Sequence, residues 1–428
     1  MGELLGLEYQ VDFQAGSDTA AATVLVLPNG KTIAVEDHFF ALHSETAYLN
    51  PANIPAEALT FPHPFEKGAQ LTVIFGQPAF SFDESGARCG LDVFAATFFM
   101  LSRWEEYARP GRDAHGRFPA AAALAFKSGF LHRPVVNEYA ELIRCLCAKL
   151  GVVLPPPKRA YTLVPTHDVD HPQLWRGLAD RLRTLAGSLF ARRDPRETLW
   201  WLSGPIWQKK DPYDTFDYLM DRSEAQGCRS QFNFMGQRKP DSDCYYPLDT
   251  PFIRSLMDKI KNRGHRIGFH PSYEAYDQPK LRVPELASIR SIAAGQPEPP
   301  DVHGGRQHYL RFSVPFTWQH WEDQQLQTDS SLGYSEAEGF RCGICVSYPA
   351  FNFLTRQQLQ LREQPLLAME VTLALYRKYT PDQAMASLRQ LKAEVRKHQG
   401  EFVVLWHNSS LNTYLWAGWE RVYESVFD

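Results

Sequence analysis

Tyr161-Thr162-Leu163-Val164-Pro165-Thr166-His167-Asp168-Val169-Asp170-His171 reads as an apolar run that ends in charge. The run from Tyr161 to Pro165 has the composition of a buried strand. Residues two apart on a strand point the same way, so Asp168 and Asp170 are aimed at one spot. Two carboxylates held that close repel each other unless a cation or a shared proton intervenes. Imidazoles flank them on both sides, at His167 and His171. An Asp-x-Asp by itself is commonly a solvated loop. What lifts this one is the strand before it and the His-bearing strands downstream.

Working outward, the strand-like runs are 161–166, 231–235, 265–270, 366–371 and 402–407, with shorter candidates near 301–303, 325–329 and 341–347. Helical patterns fit between them at 214–226, 251–263, 284–294 and 381–398. The last has Thr380 as N-cap, Pro381 in its first turn and Gly400 beyond its end. Strands alternating with helices imply a parallel sheet in an α/β fold. Six to eight such units suit a (β/α) barrel, where chemistry gathers at the carboxyl ends of the strands. Asp168, Asp170, His270, His303, Arg306, His308, Asp329 and His407 all fall at such ends. His265 starts a strand and reads as structural. Trp318 and Trp321, three apart, read as core.

Upstream, residues 1–155 read as a smaller α/β domain, and 156–428 as the barrel. Thr23–Pro28 and Leu71–Gly76 are strand-like, and Leu27-Pro-Asn-Gly30 reads as a hairpin turn. Helices are expected over Leu91–Tyr107 and Asn137–Leu150. The prolines 155–157 end the second helix and mark the boundary.

The 428-residue chain is 44% hydrophobic and 22% charged, ordinary for a globular protein. A net charge of −4 gives no basic excess for nucleic acid or an anionic membrane surface. Aromatics at 13% suit either a sugar site or a large core. The first residues lack the basic and apolar regions of a secretory signal, and no apolar run approaches a membrane span, so a cytoplasmic protein is expected. Seven cysteines, an odd number, fit reduced thiols, and Cys342-Gly-Ile-Cys345 is a lone pair without a second at zinc-finger spacing.

The motifs, in their order, resemble those of the polysaccharide deacetylase (NodB-homology, carbohydrate esterase 4-like) superfamily over roughly residues 160–410, as a divergent branch with an extra N-terminal domain. Thr166-His167-Asp168-Val169-Asp170 stands for the family's Thr-Phe-Asp-Asp, with Val169 between the aspartates. His270-Pro-Ser-Tyr-Glu274 stands for His-Ser/Thr-x-x-His, with Glu274 at the second histidine. Arg306-Gln-His-Tyr309 stands for Arg-x-Pro-Tyr, with His308 replacing the proline. Asp329 begins the fourth motif, and Leu405-Trp-His407 is the fifth.

The resemblance implies a distorted barrel of about seven strands and one divalent metal ion, zinc by the family's habit. It also implies hydrolysis of an N-acyl group, N-acetyl in the family, from an amino sugar in bacterial surface-polysaccharide metabolism. The substrate would be nucleotide-linked, lipid-linked or polymeric. Asp170 and His270 would be metal ligands. The third would be His308, which restores an Asp-His-His count, with Glu274 and Asp168 as alternatives. Asp168 would be general base, Arg306 its partner, Tyr309 an oxyanion donor through its backbone N–H, and His407 general acid, tuned by Asp329. Hydrolysis of another C–N bond, or a non-catalytic glycan- or partner-binding protein, are the rival readings. Arg341 stands between a contact to an anionic substrate group and a surface salt bridge.

Overall fold

A computed structural model describes residues 1–5, 22–43, 47–236, 246–293 and 302–428. Near the N-terminus, β1 (Ala22–Val26), β2 (Thr32–Glu36), β3 (Leu59–Pro62), β4 (Gln70–Val73), β5 (Gly76–Phe82) and β6 (Gly86–Leu91) form two small sheets. The first has the order β1-β2-β6-β5, and the second pairs β3 with β4. The β1–β2 turn is the expected one: Gly30 has φ +81° and its N–H donates to Leu27 O.

The helix expected over 91–107 is broken. It runs as Val93–Ser102, then restarts as Trp104–Ala108. Arg103 between them has φ 55°, and its buried guanidinium bonds Glu106 Oε1 at 2.9 Å. Ion pairing thus holds a backbone conformation that helix propensity alone would refuse. The second expected helix is found as Val135–Lys149, its apolar face buried against the body of the protein.

The large sheet starts with β7 (Thr162–Val169), β8 (Gln231–Met235), β9 (Arg266–His270), β10 (Gly304–Gly305) and β11 (Thr328–Asp329). It continues with β12 (Tyr348–Asn352), β13 (Gln357–Glu363), β14 (Ala368–Met369) and β15 (Glu401–Leu405). Their order is β12-β13-β11-β10-β9-β8-β7-β15-β14. All pair in parallel except β12 with β13. The helices Phe216–Ala225, Pro251–Asn262, Pro279–Ala293 and Pro381–Lys397 lie between strands where the alternation places them.

The expectation of a barrel is corrected to this extent: among the described residues no ladder joins β14 to the other edge. On the β14 side Gly339 N donates to Leu367 O, from a loop and not from a strand, while the bond from Gln364 N to Asp329 O only extends the β11–β13 pairing. β14, the edge strand on that side, has only two residues. The 341–347 run is not a strand either. It is a buried irregular segment with Gly343 at φ +64°, and the strands lie later, in the β12–β13 hairpin. The short β10 is Gly-Gly because a Cβ on Gly305 would sit 1.8 Å from Phe269 O in its neighbour β9. That close approach brings Arg306 and His308 beside His270.

Trp318 and Trp321 are fully buried, as expected of core. Among the described residues, no helix is long and apolar enough to cross a membrane.

Candidate metal and acid–base site

β7 delivers its two carboxylates to one place. His270 Nε2, at the end of β9, lies 3.8 Å from Asp168 Oδ2 and 3.3 Å from Asp170 Oδ1. Strand alternation sends His167 the other way. Its Nδ1–H donates to Trp406 O at 2.7 Å, and burial drives its imidazole down to about 3. His167 is therefore a neutral core residue and does not flank the carboxylates. His171 is half-buried, with its ring 6.3 Å from that of Tyr213.

His308 Nε2 is 3.7 Å from Asp170 Oδ1. One ligand atom from each of Asp170, His270 and His308 lies within 4.8 Å of the others. Two ligands of a tetrahedral zinc at ~2.0–2.1 Å are themselves about 3.3–3.4 Å apart, close to the spacings seen here. Asp170 Oδ1 and His270 Nε2 are buried yet make no hydrogen bond. Polar atoms left so are costly, and a cation between them would satisfy both. His270 Nδ1–H donates to Arg306 O at 2.6 Å, which holds Nε2 toward the carboxylates. The donor set and its spacing fit a divalent ion. Glu274 is exposed in a short 3₁₀ turn and is not part of the cluster.

Asp168 is held asymmetrically. Asn233 Nδ2 (2.7 Å) and Arg306 Nη1 (3.0 Å) both donate to Oδ1, leaving Oδ2 on the side of the cluster. Burial opposes its charge, but Arg306, His270 and His407 outweigh it and keep the carboxyl below its ordinary range. Arg306 is itself fixed by Ser330, through Nε to the carbonyl (2.8 Å) and Nη2 to the hydroxyl (2.9 Å). Asp170 shows the same balance: burial raises it, and His308, His270 and His407 pull it far down.

His407 follows β15 with Nε2 3.6 Å from Asp170 Oδ2. Its Nδ1 sits 2.6 Å from Glu370 Oε1, which also accepts the His407 backbone N–H at 3.0 Å. Burial disfavours the charged imidazole, yet Glu370 and the two aspartates push it up to about 10.

The group that orients His407 is thus Glu370, where Asp329 was expected. Asp329 lies elsewhere, accepting from Ser331 Oγ at 2.5 Å. It also faces Glu363, whose oxygens accept from Trp318 Nε1 (2.9 Å) and Leu332 N (3.2 Å). Burial raises both acids, Asp329 to about 7, and the charge of Asp329 raises Glu363 further. Asp329 Oδ2 has no donor unless Glu363 carries a proton, so the pair shares one. It buttresses the Arg306–Gln307 turn, since Ser331 Oγ takes the Gln307 N–H at 2.9 Å.

Sequence reasoning passed over Glu370 and Asn233 as site residues. Both were visible as polar side chains inside otherwise apolar strand-like runs, Leu366–Val371 and Gln231–Met235.

Tyr309 has φ 58° and a half-exposed ring 4.6 Å from His308. The chain before residue 150 reaches it. Arg117 Nη1 donates to Tyr309 O at 3.1 Å, and the His115 ring lies 4.9 Å away. Arg341 neither faces the site nor lies on the surface. It is buried, bidentate to Glu106 at 2.6 and 3.0 Å. His265 is structural, its Nδ1 accepting from Ser230 N at 2.9 Å. Cys342 and Cys345 are buried thiols, each pushed up to about 12 by desolvation.

A family model described as "Family of unknown function (DUF7033)" matches residues 2–150. No curated protein sequence matches the chain. A solved structure titled "Crystal structure of putative polysaccharide deacetylase from Mycobacterium smegmatis" is similar over 64% of this chain and 85% of that chain. Its identity is 15% and its TM-score 0.39, a likeness too loose to carry an argument.

Proposed function

We propose that the chain is a metal-dependent hydrolase that removes an N-acyl group, acetyl foremost, from an amino sugar. The observation that carries this reading is the cluster of Asp170, His270 and His308, with a second carboxylate and a second imidazole beside it. Behind it stands a fold reading: a barrel opened between β14 and β12, with residues 1–155 as a separate unit. The amino-sugar substrate comes from the motif resemblance.

A divalent ion, zinc as the first choice, would polarise an amide carbonyl and make bound water nucleophilic at neutral pH. The chain's own residues divide the proton work. Asp168, with Oδ1 taken by Asn233 and Arg306, has Oδ2 left to accept a proton on the cluster side. Arg306 positions that carboxylate and offsets its burial. His407 has Nδ1 committed to Glu370, so Nε2 is the atom left to hand a proton to the departing amine. The Tyr309 N–H, at a left-handed turn next to His308, is assigned to the developing oxyanion.

Metal analysis of protein purified without chelator, paired with acetate release from N-acetylated amino sugars, tests the reading. One equivalent of metal, lost in Asp170→Asn, is expected. Asp168→Asn should keep the metal and slow release by about 10²- to 10⁴-fold. Absence of both metal and acetate release, with ligand binding intact in Asp170→Asn, would make this a non-catalytic binding protein.

A further inference from the structure

A helical excursion leaves the sheet directly after Asp170. Between β7 and the helix Phe216–Ala225 the chain forms Leu178–Ala186, a π turn, Pro195–Leu202 and a 3₁₀ turn at Pro205–Trp207. These pieces enclose a small core of their own, Trp175, Trp201 and Ile206, with Leu174, Leu185 and Trp200 against it.

Outside this core the excursion carries large apolar groups in the open. Phe190 is 72% exposed, Trp207 71% and Leu199 66%, with Leu178, Leu182 and Leu189 also exposed. Leu178 and Leu182 are one helical turn apart, and Leu189 falls two turns later. Burying none of these on folding forgoes a large hydrophobic gain, so a surface so made is built to be covered.

Charge indicates what covers it. The whole chain is acidic, at −4, yet residues 176–210 hold eight Lys and Arg against three Asp and Glu. Arg183 and Arg192 have local carboxylate partners, Asp180 and Glu197. Arg193, Arg196, Lys209 and Lys210 are exposed and make no ion pair among the described residues. Exposed Leu, Phe and Trp interleaved with unpaired cations is the composition of an interfacial helix on an anionic bilayer.

We infer that residues 174–210 dock this protein on the surface of an anionic lipid bilayer. Leu, Phe and Trp side chains enter the headgroup–acyl boundary, and the arginines and lysines lie at the phosphate level. The docking places the site at the membrane. Both ends of the excursion are clasped beside it, because Asn408 Nδ2 donates to His171 O (2.9 Å) and to Tyr213 O (2.8 Å). The inference goes beyond the hydrolase reading and is measured without turnover.

Sedimentation of the full chain with vesicles of phosphatidylglycerol and phosphatidylcholine, against phosphatidylcholine alone, tests it. Binding to the anionic vesicles, weakened by salt, is expected. Each cation near such a surface is worth about fivefold in partition, so R193Q with R196Q should lower binding about 30-fold. Phe190→Ser with Leu199→Ser should lower it on the order of tenfold or more. All four side chains are exposed, and an unchanged thermal melt confirms the fold. No binding at low salt, equal binding to neutral vesicles, or binding indifferent to both double variants overturns the inference. So does a concentration-dependent dimer in light scattering that the Phe190/Leu199 variant abolishes while vesicles are ignored, since the face would then belong to a second copy.

Discussion

Two segments flank the cluster, and they are built by opposite rules. On the His308 side, the N-terminal part of the chain is joined by buried charge to the irregular segment that precedes β12. Arg103, Glu105, Glu106 and Arg341 are all essentially inaccessible, and Arg103 also reaches Tyr334 Oη at 3.4 Å. On the Asp170 side, the helical excursion leaves leucines, a phenylalanine and a tryptophan in solvent. The first segment spends desolvation to fix one arrangement. The second withholds hydrophobic area from the fold. A buried ion pair adds little over an apolar substitute but makes the wrong arrangement very costly. An exposed apolar face adds nothing to the fold and is free for something else.

The contrast can be broken first at its strongest point. Arg341→Ala leaves Glu106 facing only Arg103 in a dry interior, and a loss of about 3–5 kcal/mol is expected in urea unfolding. A loss under about 1 kcal/mol would mean that water reaches the network and that the two segments differ less than their burial says. Truncating the other side is the matched control. Phe190→Ala should move stability by no more than about 0.5 kcal/mol.

The acid pair sharpens the contrast through pH. A carboxyl that keeps its proton in the fold contributes fully below its unfolded value, about 4, and loses that contribution as pH rises to its folded value. For Asp329 the folded value is about 7. Stability of the parent should therefore fall between pH 4.5 and 7.5 by more than that of Asp329→Asn, compared by urea midpoints. Equal slopes would show that Asp329 is already ionised in the fold.

The smallest effect belongs to the rim. Arg117→Ala removes a hydrogen bond to Tyr309 O and a pair with Asp113 at 2.7 Å. A cost of about 1–2 kcal/mol is expected, confined to the turn. Hydrogen exchange should quicken at Tyr309 and Leu310 while β9 is unchanged. Uniform quickening would make Arg117 a global strut instead.

Legibility followed distance along the chain. Asp168, Asp170, His270 and His407 lie at the ends of runs whose apolar composition announces strands, so their convergence could be read from periodicity. The helices 251–262 and 381–397 were legible for the same reason, the second with Thr380 and Pro381 marking its start. β10 and β11 could be placed only approximately, because a two-residue strand has no period. The break at Arg103 was invisible, since the partners that stabilise its left-handed backbone include Tyr334, 231 positions away. Arg341 was misread for the same reason: its carboxylate lies 235 positions upstream. The excursion at 174–210 was hidden by averaging, because its cations vanish in a chain of net −4.

The sequence by itself determined which carboxylates and imidazoles stand at strand ends. Alternation along a strand is a local rule that needs no knowledge of neighbours. It also determined the parallel α/β character, through the order of apolar runs. Only the tertiary structure decided the rest. It paired His407 with Glu370 in place of Asp329, left the sheet open with β14 and β12 as its edges, and set the N-terminal segment against Tyr309. Those outcomes depend on which groups meet in a dry interior, where an unpaired charge costs several kcal/mol, and no local pattern records who the partner will be.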